Sequence, residues 1–371
     1  MKKVVIIGST GSIGEQTIDV LRNESSIEIL GLTAGKNLEK HKNQVLELNP
    51  KYYDNLEKKE YNIPGSNLID SKDLVSIEEV DFILFASFGS DAHEVIFKAV
   101  RNGVNIGLTN KEVIVTFGPL LFDIAKKNKT KIFPVDSEPS AIWQCINGDY
   151  RKVSKIVLTA SGGIFRDKKY KELSNVTPAE ATSHPNWKMG KKITVDSSTM
   201  MNKIFEIVET SYMFDIDFQD IDVLIHRESI VHSMVEFMDG SVKAQLSKPD
   251  MKLPIQYAID YPNFNLDYKN KIDFSKLSNL TFSQVDRSQY PCYDFSLDYI
   301  LRGNLYISAL SILNEILVNL FIEEKISYIS IPIYLEKLLC NEKFDQKFTL
   351  DNIIEVRDYL RNKVSKEIKI L

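Results

Sequence analysis

Three acidic side chains are the residues in this sequence best suited to hold a divalent metal ion. Asp136 and Glu138 lie two residues apart in the run FPVDSEPSA, at the end of a predicted strand, where alternation directs both carboxylates to one side. Open α/β sheets bind ligands at that end of their strands. Glu206 supplies a third carboxylate from the run VDSSTMMNKIFEIVE. Oxygen ligands of this kind suit Mg2+ or Mn2+, which keep coordination positions open for water and substrate.

Both acidic segments also have a purely structural interpretation. In the first segment, Asp136 or Ser137 can cap a helix that carries an acid in its first turn. In the second segment, Asn202, Lys203 and Glu206 have helical spacing, which is also that of an ordinary exposed ion pair of small energetic worth. Taken alone, these residues leave a metal site and common helix features as alternatives.

A glycine-rich loop lies between the predicted first strand and the predicted first helix. Its glycines have the spacing G-x-x-G-x-x-G, which lets a pyrophosphate approach the backbone and the free N–H groups of a helix N-terminus. The alternative is a plain tight turn. We predict a dinucleotide site in which the cofactor contacts Gly8, Ser9, Thr10, Gly11, Ser12 and Ile13.

The end of the predicted second strand indicates which dinucleotide is bound. An acidic residue there would bind the ribose hydroxyls of NAD and repel a 2'-phosphate. This sequence instead continues from Ala34 through Gly35, Lys36 and Asn37. The lysine favours NADPH, although an ordinary polar turn would contain the same residues.

The elements that must position these residues alternate along the first part of the chain. Short β-branched runs and amphipathic stretches follow one another from Lys3 to Asn147, as in a doubly wound, Rossmann-like parallel sheet with helices on both faces. We therefore predict an α/β NADPH-binding domain over residues 1–150, with a first helix over residues 12–23 and another over residues 91–102.

The rest of the chain changes character. Residues 151–261 combine strands with a hairpin that turns at Asp239 and Gly240, which predicts an α+β catalytic and dimerisation domain. Residues 262–288 lack a clear period and are predicted to be a linker. Residues 289–371 carry helical apolar spacing, so we predict a small helical C-terminal domain.

Composition excludes several classes of function. The 371 residues carry a formal net charge of -5, which offers no broad basic field for nucleic acid. Three cysteines without close pairing fit a reducing compartment. The short apolar run near the N-terminus is too brief for a signal peptide, and no uninterrupted apolar stretch approaches the roughly 20 residues that span a bilayer. We expect a soluble, cytoplasmic protein without nucleic-acid or membrane partners.

Seven motifs in order resemble one enzyme family. They are GSTGSIG at 8–14, AGKN at 34–37, NKE at 110–112, VDSE at 135–138, SGG at 161–163, HPNWKMG at 184–190 and VDSSTMMNK at 195–203. Together they resemble the 1-deoxy-D-xylulose 5-phosphate reductoisomerases, from about Met1 to Pro254. The resemblance implies an oxidoreductase of the MEP pathway of isoprenoid precursor biosynthesis, with NADPH, a sugar phosphate substrate and Mg2+, Mn2+ or Co2+.

The resemblance also implies roles for individual residues. The metal ligands would be Asp136, Glu138 and Glu206, and the phosphate would bind to Ser161, Ser197, Asn202 and Lys203. The catalytic residues would be Lys111, Glu138, Glu206 and His184. Further contacts to the substrate would come from Lys111, Ser137, Glu138, His184, Trp187 and Glu206, and further contacts to the cofactor from Asn110, Glu112 and Gly190. The loop around residues 184–189 would close over the substrate, and the family implies a homodimer, to which the segment SVKAQL could contribute an edge strand.

Some positions depart from the family pattern. Pro139 stands where a histidine usually follows the acid pair, HRES at 226–229 replaces HPQS, and Asn314 and Glu315 have bulkier neighbours than usual. We expect these changes to affect packing more than chemistry, and we expect His226 and His232 to be structural. Two other functions stay open, an NADP-dependent dehydrogenase of another class and a dinucleotide sensor without turnover.

Overall fold

The structure of the protein is a computed structural model that describes residues 1–22, 24–87, 89–183, 187, 189–264 and 270–368. The chain divides into two compact units. The first comprises residues 1–113, 121–140 and 250–271, and the second comprises residues 114–120, 141–249 and 272–371. The domain boundaries predicted from the sequence, after residues 150, 261 and 288, stay predictions.

A seven-stranded parallel sheet forms the centre of the first unit. Its strands are β1 (Lys2–Ile7), β2 (Ile27–Ala34), β3 (Tyr52–Asn55), β4 (Asn67–Leu68), β5 (Phe82–Phe85), β6 (Asn105–Leu108) and β7 (Ile132–Pro134). The order across the sheet is β4-β3-β2-β1-β5-β6-β7. All four residues of β5 are fully buried, as expected for a strand covered on both faces. The predicted doubly wound α/β fold is confirmed.

Helices follow most of these strands. They are α1 (Ser12–Leu21), α2 (Leu38–Leu48), α3 (Ser71–Leu74), α4 (His93–Arg101), α5 (Lys111–Asn128) and α6 (Ser137–Ile146). Helices α1 to α5 connect strands of this sheet. Two predicted helices are slightly shorter than expected: α1 ends at Leu21, and α4 follows a 3-10 turn over Ser90–Ala92 instead of starting at Asp91. Such turns are common at helix ends. The last residue of the predicted first helix, Asn23, lies outside the described residues.

The second unit contains a five-stranded mixed sheet. Its strands are β8 (Val153–Ala160), β9 (Ile221–Ile225), β10 (Val231–Phe237), β11 (Val242–Leu246) and β12 (Ser283–Gln284), in the order β11-β10-β8-β9-β12. Strand β8 runs parallel to β9 and antiparallel to β10. The predicted hairpin is present as β10 and β11, with Gly240 at φ 81° in its turn. This sheet matches the predicted α+β character.

Further helices lie in the remaining chain. They are α7 (Pro178–Ala181), α8 (Lys191–Ser198), α9 (Met201–Phe214), α10 (Lys252–Asp260), α11 (Pro291–Tyr299), α12 (Asn304–Ile322), α13 (Ser330–Leu339) and α14 (Leu350–Glu367). Helix α10 is part of the first unit. Helix α12 is long and apolar enough to cross a membrane by length and composition, but 72% of its most apolar window is buried in the protein. It is therefore a core helix of the second unit.

Candidate active site

The glycine loop between β1 and α1 is shaped by two close backbone contacts. Gly8 has φ 91°, and a Cβ there would lie 3.0 Å from the Ser87 amide nitrogen. A Cβ on Gly14 would lie 2.4 Å from the Gly8 carbonyl oxygen. At Gly11, in contrast, the nearest atom would be 3.5 Å away, an ordinary contact. Packing therefore requires two of the glycines, while the third leaves the N-terminus of α1 open to a ligand.

Ser9 holds this loop in place from inside the unit. It is fully buried, its amide donates to the Thr33 carbonyl oxygen at 2.8 Å, and its hydroxyl donates to Gln44 Oε1 at 2.7 Å. The Gln44 amide donates in return to the Ser9 carbonyl oxygen at 3.0 Å. The other predicted cofactor residues of the loop, Thr10, Ser12 and Ile13, are half-buried or exposed. Sequence analysis missed Gln44 because it lies 35 positions from its partner, so no local pattern marks it.

The turn after β2 presents the residues predicted to select the cofactor. Gly35, Lys36 and Asn37 are all exposed. The side chain of Asn37 caps α2, because its Oδ1 accepts a hydrogen bond from the Lys40 amide at 3.2 Å. Lys36 therefore lies directly before a capped helix, and its side chain is exposed to solvent.

Lys111 and Asp136 meet at the carboxyl ends of two adjacent strands. Strands β6 and β7 pair in parallel, with Leu108 opposite Pro134, so the chain leaves both strands at the same edge. Lys111 Nζ lies 2.6 Å from Asp136 Oδ2, and the lysine side chain is only 3% exposed. Asn110 caps the helix that begins at Lys111, since its Oδ1 accepts from the Val113 amide and its Nδ2 donates to the Gly89 carbonyl oxygen. The family resemblance implied a catalytic role for Lys111, but its ion pair with a predicted metal ligand was not foreseen.

The three predicted metal ligands form one cluster of carboxylates. One oxygen atom from each of Asp136, Glu138 and Glu206 lies within 4.8 Å of the others. Ser137 donates its hydroxyl to Glu138 Oε2 at 2.6 Å and its amide to Asp136 Oδ1 at 3.2 Å. Helix α6 begins at Ser137, so the carboxylate cluster includes residues at the N-terminus of a helix. Three converging carboxylates that repel one another fit a hard divalent cation.

The ion pair of Lys203 with Glu206 on α9 is buried. Lys203 is 4% exposed and Glu206 is fully buried, which rules out the ordinary exposed ion pair considered from the sequence. Lys203 donates to Glu206 Oε2 and to the Thr159 carbonyl oxygen, and Asn202 donates to Glu206 Oε1. Thr159 is a further residue that the sequence did not reveal, because it acts through its backbone.

The predicted phosphate residues Ser161 and Ser197 lie on segments that contact each other. Gly163, two residues after Ser161, has φ 70° and packs directly against α8. A Cβ on Gly163 would lie 2.7 Å from the Ser197 carbonyl oxygen. Arg166 donates to the Ser161 carbonyl oxygen at 2.9 Å, and Tyr290 donates to the Gly162 carbonyl oxygen at 2.9 Å. The SGG turn is therefore fixed from both sides. Arg166 and Tyr290 were missed by sequence analysis.

Part of the predicted flap lies outside the described residues, namely His184, Pro185, Asn186 and Lys188. Trp187 is half-buried and contacts His232 edge to face, with ring centroids 5.9 Å apart. Gly190 precedes α8, and a Cβ there would meet no atom within 4 Å, so packing does not require a glycine. His226 is held by the backbone, because Nδ1 lies 2.8 Å from the Thr281 carbonyl oxygen and Nε2 accepts from the Val231 amide.

Family models match most of the chain. Residues 4–118 match the model of 1-deoxy-D-xylulose 5-phosphate reductoisomerase. Residues 132–214 and 246–363 match two models described as C-terminal domains of the same enzyme.

Full-length relatives decide the family. The 1-deoxy-D-xylulose 5-phosphate reductoisomerase of Thermoanaerobacter pseudethanolicus is 42% identical, over 99% of this chain and 99% of that protein. The chain belongs to the 1-deoxy-D-xylulose 5-phosphate reductoisomerase family. The corresponding enzyme of Clostridium perfringens is 40% identical, over 98% of this chain and its own full length. The family predicted from the seven motifs is therefore confirmed, over a longer part of the chain than the motifs covered.

Solved structures of the family share the whole fold. A crystal structure of DOX-P reductoisomerase with NADPH, fosmidomycin and magnesium has a TM-score of 0.90 and 32% identity, covering 99% of this chain and 100% of that one. The 1-deoxy-D-xylulose 5-phosphate reductoisomerase of Zymomonas mobilis with NADPH has a TM-score of 0.88 and 30% identity, covering 98% of both chains. The likeness extends through the C-terminal helices, where the motif resemblance weakened.

Proposed function

We propose that this chain converts 1-deoxy-D-xylulose 5-phosphate into 2-C-methyl-D-erythritol 4-phosphate, with NADPH as reductant and a divalent metal ion. Membership of the reductoisomerase family supports the reaction. The cluster of Asp136, Glu138 and Glu206 is the observation that carries the proposal for this chain. A dehydrogenase without a metal step and a dinucleotide sensor would not need three converging carboxylates.

The metal ligands in this proposal are Asp136, Glu138 and Glu206. A bound Mg2+, Mn2+ or Co2+ supplies the positive charge that polarises the substrate carbonyl. Lys111 and Lys203 each lie beside one of the carboxylates, so three acids and two ammonium groups carry a formal charge of -1. This net negative charge attracts a divalent cation, while the two lysines orient the carboxylates through their ion pairs.

The phosphate site consists of Ser161, Ser197, Asn202 and Lys203. Helix α9 is 14 residues long and begins directly after Met200, which has φ 61°, so Asn202 and Lys203 lie in its first turn, at the positive end of the helix dipole, which favours an anion. The ammonium group of Lys203 adds a full positive charge. Anchoring the phosphate keeps both fragments in place while the carbon skeleton is cleaved and rejoined.

The flap completes the substrate site. His184, Pro185, Asn186, Trp187, Lys188 and Met189 close over the substrate, and His184 and Trp187 contact it directly. The contact of Trp187 with His232 gives the indole a fixed neighbour in the second unit. Closure excludes water from the polarised carbonyl and from the reacting aldehyde.

The cofactor site comprises the glycine loop, the Lys36 turn and the start of α5. The pyrophosphate binds at Gly11 and the open N-terminus of α1, and Lys36 pairs with the 2'-phosphate. Asn110, Glu112 and Gly190 lie at the nicotinamide end. Lys111, between Asn110 and Glu112 in sequence, stabilises charge on the substrate next to the hydride donor.

The active form in this proposal is a cytoplasmic homodimer. Strand β11 lies at one edge of the second sheet and its first three residues are exposed. An uncovered edge strand can pair with the same strand of a second copy around a two-fold axis.

The test is NADPH oxidation by purified protein with 1-deoxy-D-xylulose 5-phosphate, with Mg2+ or Mn2+ and with EDTA. We expect metal-dependent oxidation that falls at least about a hundredfold in Glu206→Gln, because a neutral amide cannot replace the charged ligand. Glu209→Gln is the matched control, since Glu209 is also a buried carboxylate of α9 but lies outside the cluster. We expect this control to keep its metal-dependent turnover.

Three results would contradict the proposal. Equal rates of NADPH oxidation with and without EDTA would contradict the role of the metal. Unchanged activity of Glu206→Gln would contradict the role of the carboxylate cluster. If the protein binds NADPH but oxidises none of it with any metal, the proposed substrate is wrong.

A further inference from the structure

A buried polar contact connects the C-terminal helix α12 with helix α8. Asn314 lies in the middle of α12 and is fully buried. Its amide nitrogen donates to Asp196 Oδ1 at 2.8 Å, across 118 positions of sequence. Asp196 is 1% exposed and directly precedes Ser197, one of the proposed phosphate residues.

Asp196 also forms an ion pair that reaches a third helix. Lys192 Nζ lies 2.7 Å from Asp196 Oδ2, one helical turn earlier on α8. The same ammonium group lies 4.9 Å above the ring of Phe205 on α9, the residue before Glu206. Asn314, Asp196 and Lys192 therefore connect α12 and α8 with the helix that carries the proposed metal and phosphate residues.

The asparagine at position 314 bonds to a buried carboxylate but also buries an oxygen of its own. Within the described part of the chain, its Oδ1 is buried without a hydrogen-bond partner. Leaving such a group unsatisfied costs about 1–3 kcal/mol. A leucine of similar size would avoid that cost but would remove the hydrogen bond that the Asn314 amide donates to the buried Asp196 carboxylate, so the asparagine serves to hold Asp196.

We propose that Asn314 and Asp196 are positioning residues for the substrate phosphate. Their hydrogen bond fixes the last turn of α8, which carries Ser197, against the SGG turn that carries Ser161. The tolerance there is small, because the Gly163 backbone packs on the carbonyl of Ser197 without room for a Cβ. A displaced α8 therefore moves one half of the phosphate site relative to the other. The inference rests on the phosphate site proposed above.

The test compares Asn314→Leu with Ser311→Ala in steady-state kinetics. Ser311 lies one turn earlier on α12, is equally buried and bonds to Thr116 of α5 instead of α8, so it controls for loss of a polar core contact. We expect Asn314→Leu to raise KM for 1-deoxy-D-xylulose 5-phosphate by about tenfold, as for loss of one hydrogen bond to a charged group. The kcat at saturation and the KM for NADPH should stay unchanged, and Ser311→Ala should match the wild type in all three.

A second variant, Asp196→Asn, keeps the shape of the side chain but removes its charge from Lys192, and we expect it to raise the same KM. A merely structural role would lower Tm or apparent kcat, through loss of folded enzyme, and leave KM unchanged; this result in Asn314→Leu would overturn the inference. Ser197→Ala separates the two proposals. If it raises KM for the sugar phosphate while Asn314→Leu does not, only the positioning role fails, and if Ser197→Ala leaves KM unchanged, the phosphate site and the positioning role both fail.

Discussion

In the proposed cofactor site, a single residue, Lys36, selects the cofactor. It is exposed at the start of α2, next to the Asn37 cap, and its backbone position is set by the hydrogen bond from the Lys40 amide to Asn37 Oδ1. An exposed ammonium group can pair with a 2'-phosphate without a desolvation cost of its own, but a carboxylate at the same place would repel that phosphate.

We therefore expect Lys36→Asp to reverse the cofactor preference. The KM for NADPH should rise about tenfold or more, because an attraction becomes a repulsion, while the KM for NADH should stay the same or fall. Lys42→Asp is the control, because Lys42 is also an exposed lysine, further along α2. The two substitutions change the net charge by the same amount. An equal rise of KM for both dinucleotides in Lys36→Asp would show that Lys36 does not contact the 2'-phosphate.

Helix α2 illustrates how one element stabilises a neighbouring loop. Its Gln44 exchanges two hydrogen bonds with Ser9 of the glycine loop, and its Lys40 pairs with Glu15 of α1 at 2.6 Å. His41, between them in sequence, is fully buried, with Nε2 3.3 Å from the Leu32 carbonyl oxygen and Nδ1 3.0 Å from Tyr61 Oη. Burial lowers the pKa of His41 from 6.5 to about 4.

This burial makes the first unit acid-sensitive. Below pH 6.5 the unfolded chain binds a proton at His41, whereas the folded chain does so only near pH 4. The contribution of neutral His41 to the free energy of unfolding is therefore fully present above pH 6.5 and is lost as the pH falls from 6.5 to 4. The loss amounts to at most about 3 kcal/mol. We expect His41→Phe, measured by calorimetric unfolding, to lose less stability than the wild type between pH 7 and pH 5. A difference between the two proteins that does not change with pH would contradict this.

The oligomeric state is a property of the whole molecule. The proposed dimer pairs β11 with its own copy, and a two-fold axis brings equivalent residues of the two chains together. Ala244 is exposed in the middle of β11, opposite Met234 of β10 on the other side. A charge at this position would lie close to the same charge in the second chain, where like charges repel.

We expect light scattering to give twice the chain mass for the wild type. Lys155→Ala is the control and should also give this mass, because it removes an exposed charge from β8, which does not lie at the sheet edge. Ala244→Lys should shift the protein towards a single chain with unchanged circular dichroism. A dimer that persists in Ala244→Lys at micromolar concentration would place the interface elsewhere.

The sequence by itself determined the order of the strands and helices, because local patterns of apolar and polar residues predict each of these elements. Continuous apolar runs in β1 and β5 predict buried parallel strands, the Asp239–Gly240 pair predicts the hairpin of β10 and β11, and both features are present. The seven motifs also determined the family. Motif spacing showed that carboxylates and glycines stand at the ends of elements, since that depends only on neighbours along the chain.

Only the tertiary structure decided which of these residues meet. The pairs Lys111 with Asp136, Ser9 with Gln44 and Asp196 with Asn314 are 25, 35 and 118 positions apart, and nothing in the local pattern selects them. Burial of the Lys203–Glu206 pair likewise depends on what packs over α9. Side-chain periodicity specifies which face of an element is apolar, but the partner of a polar group within the core is set by the packing of distant elements, and the chemistry of this site depends on those partners.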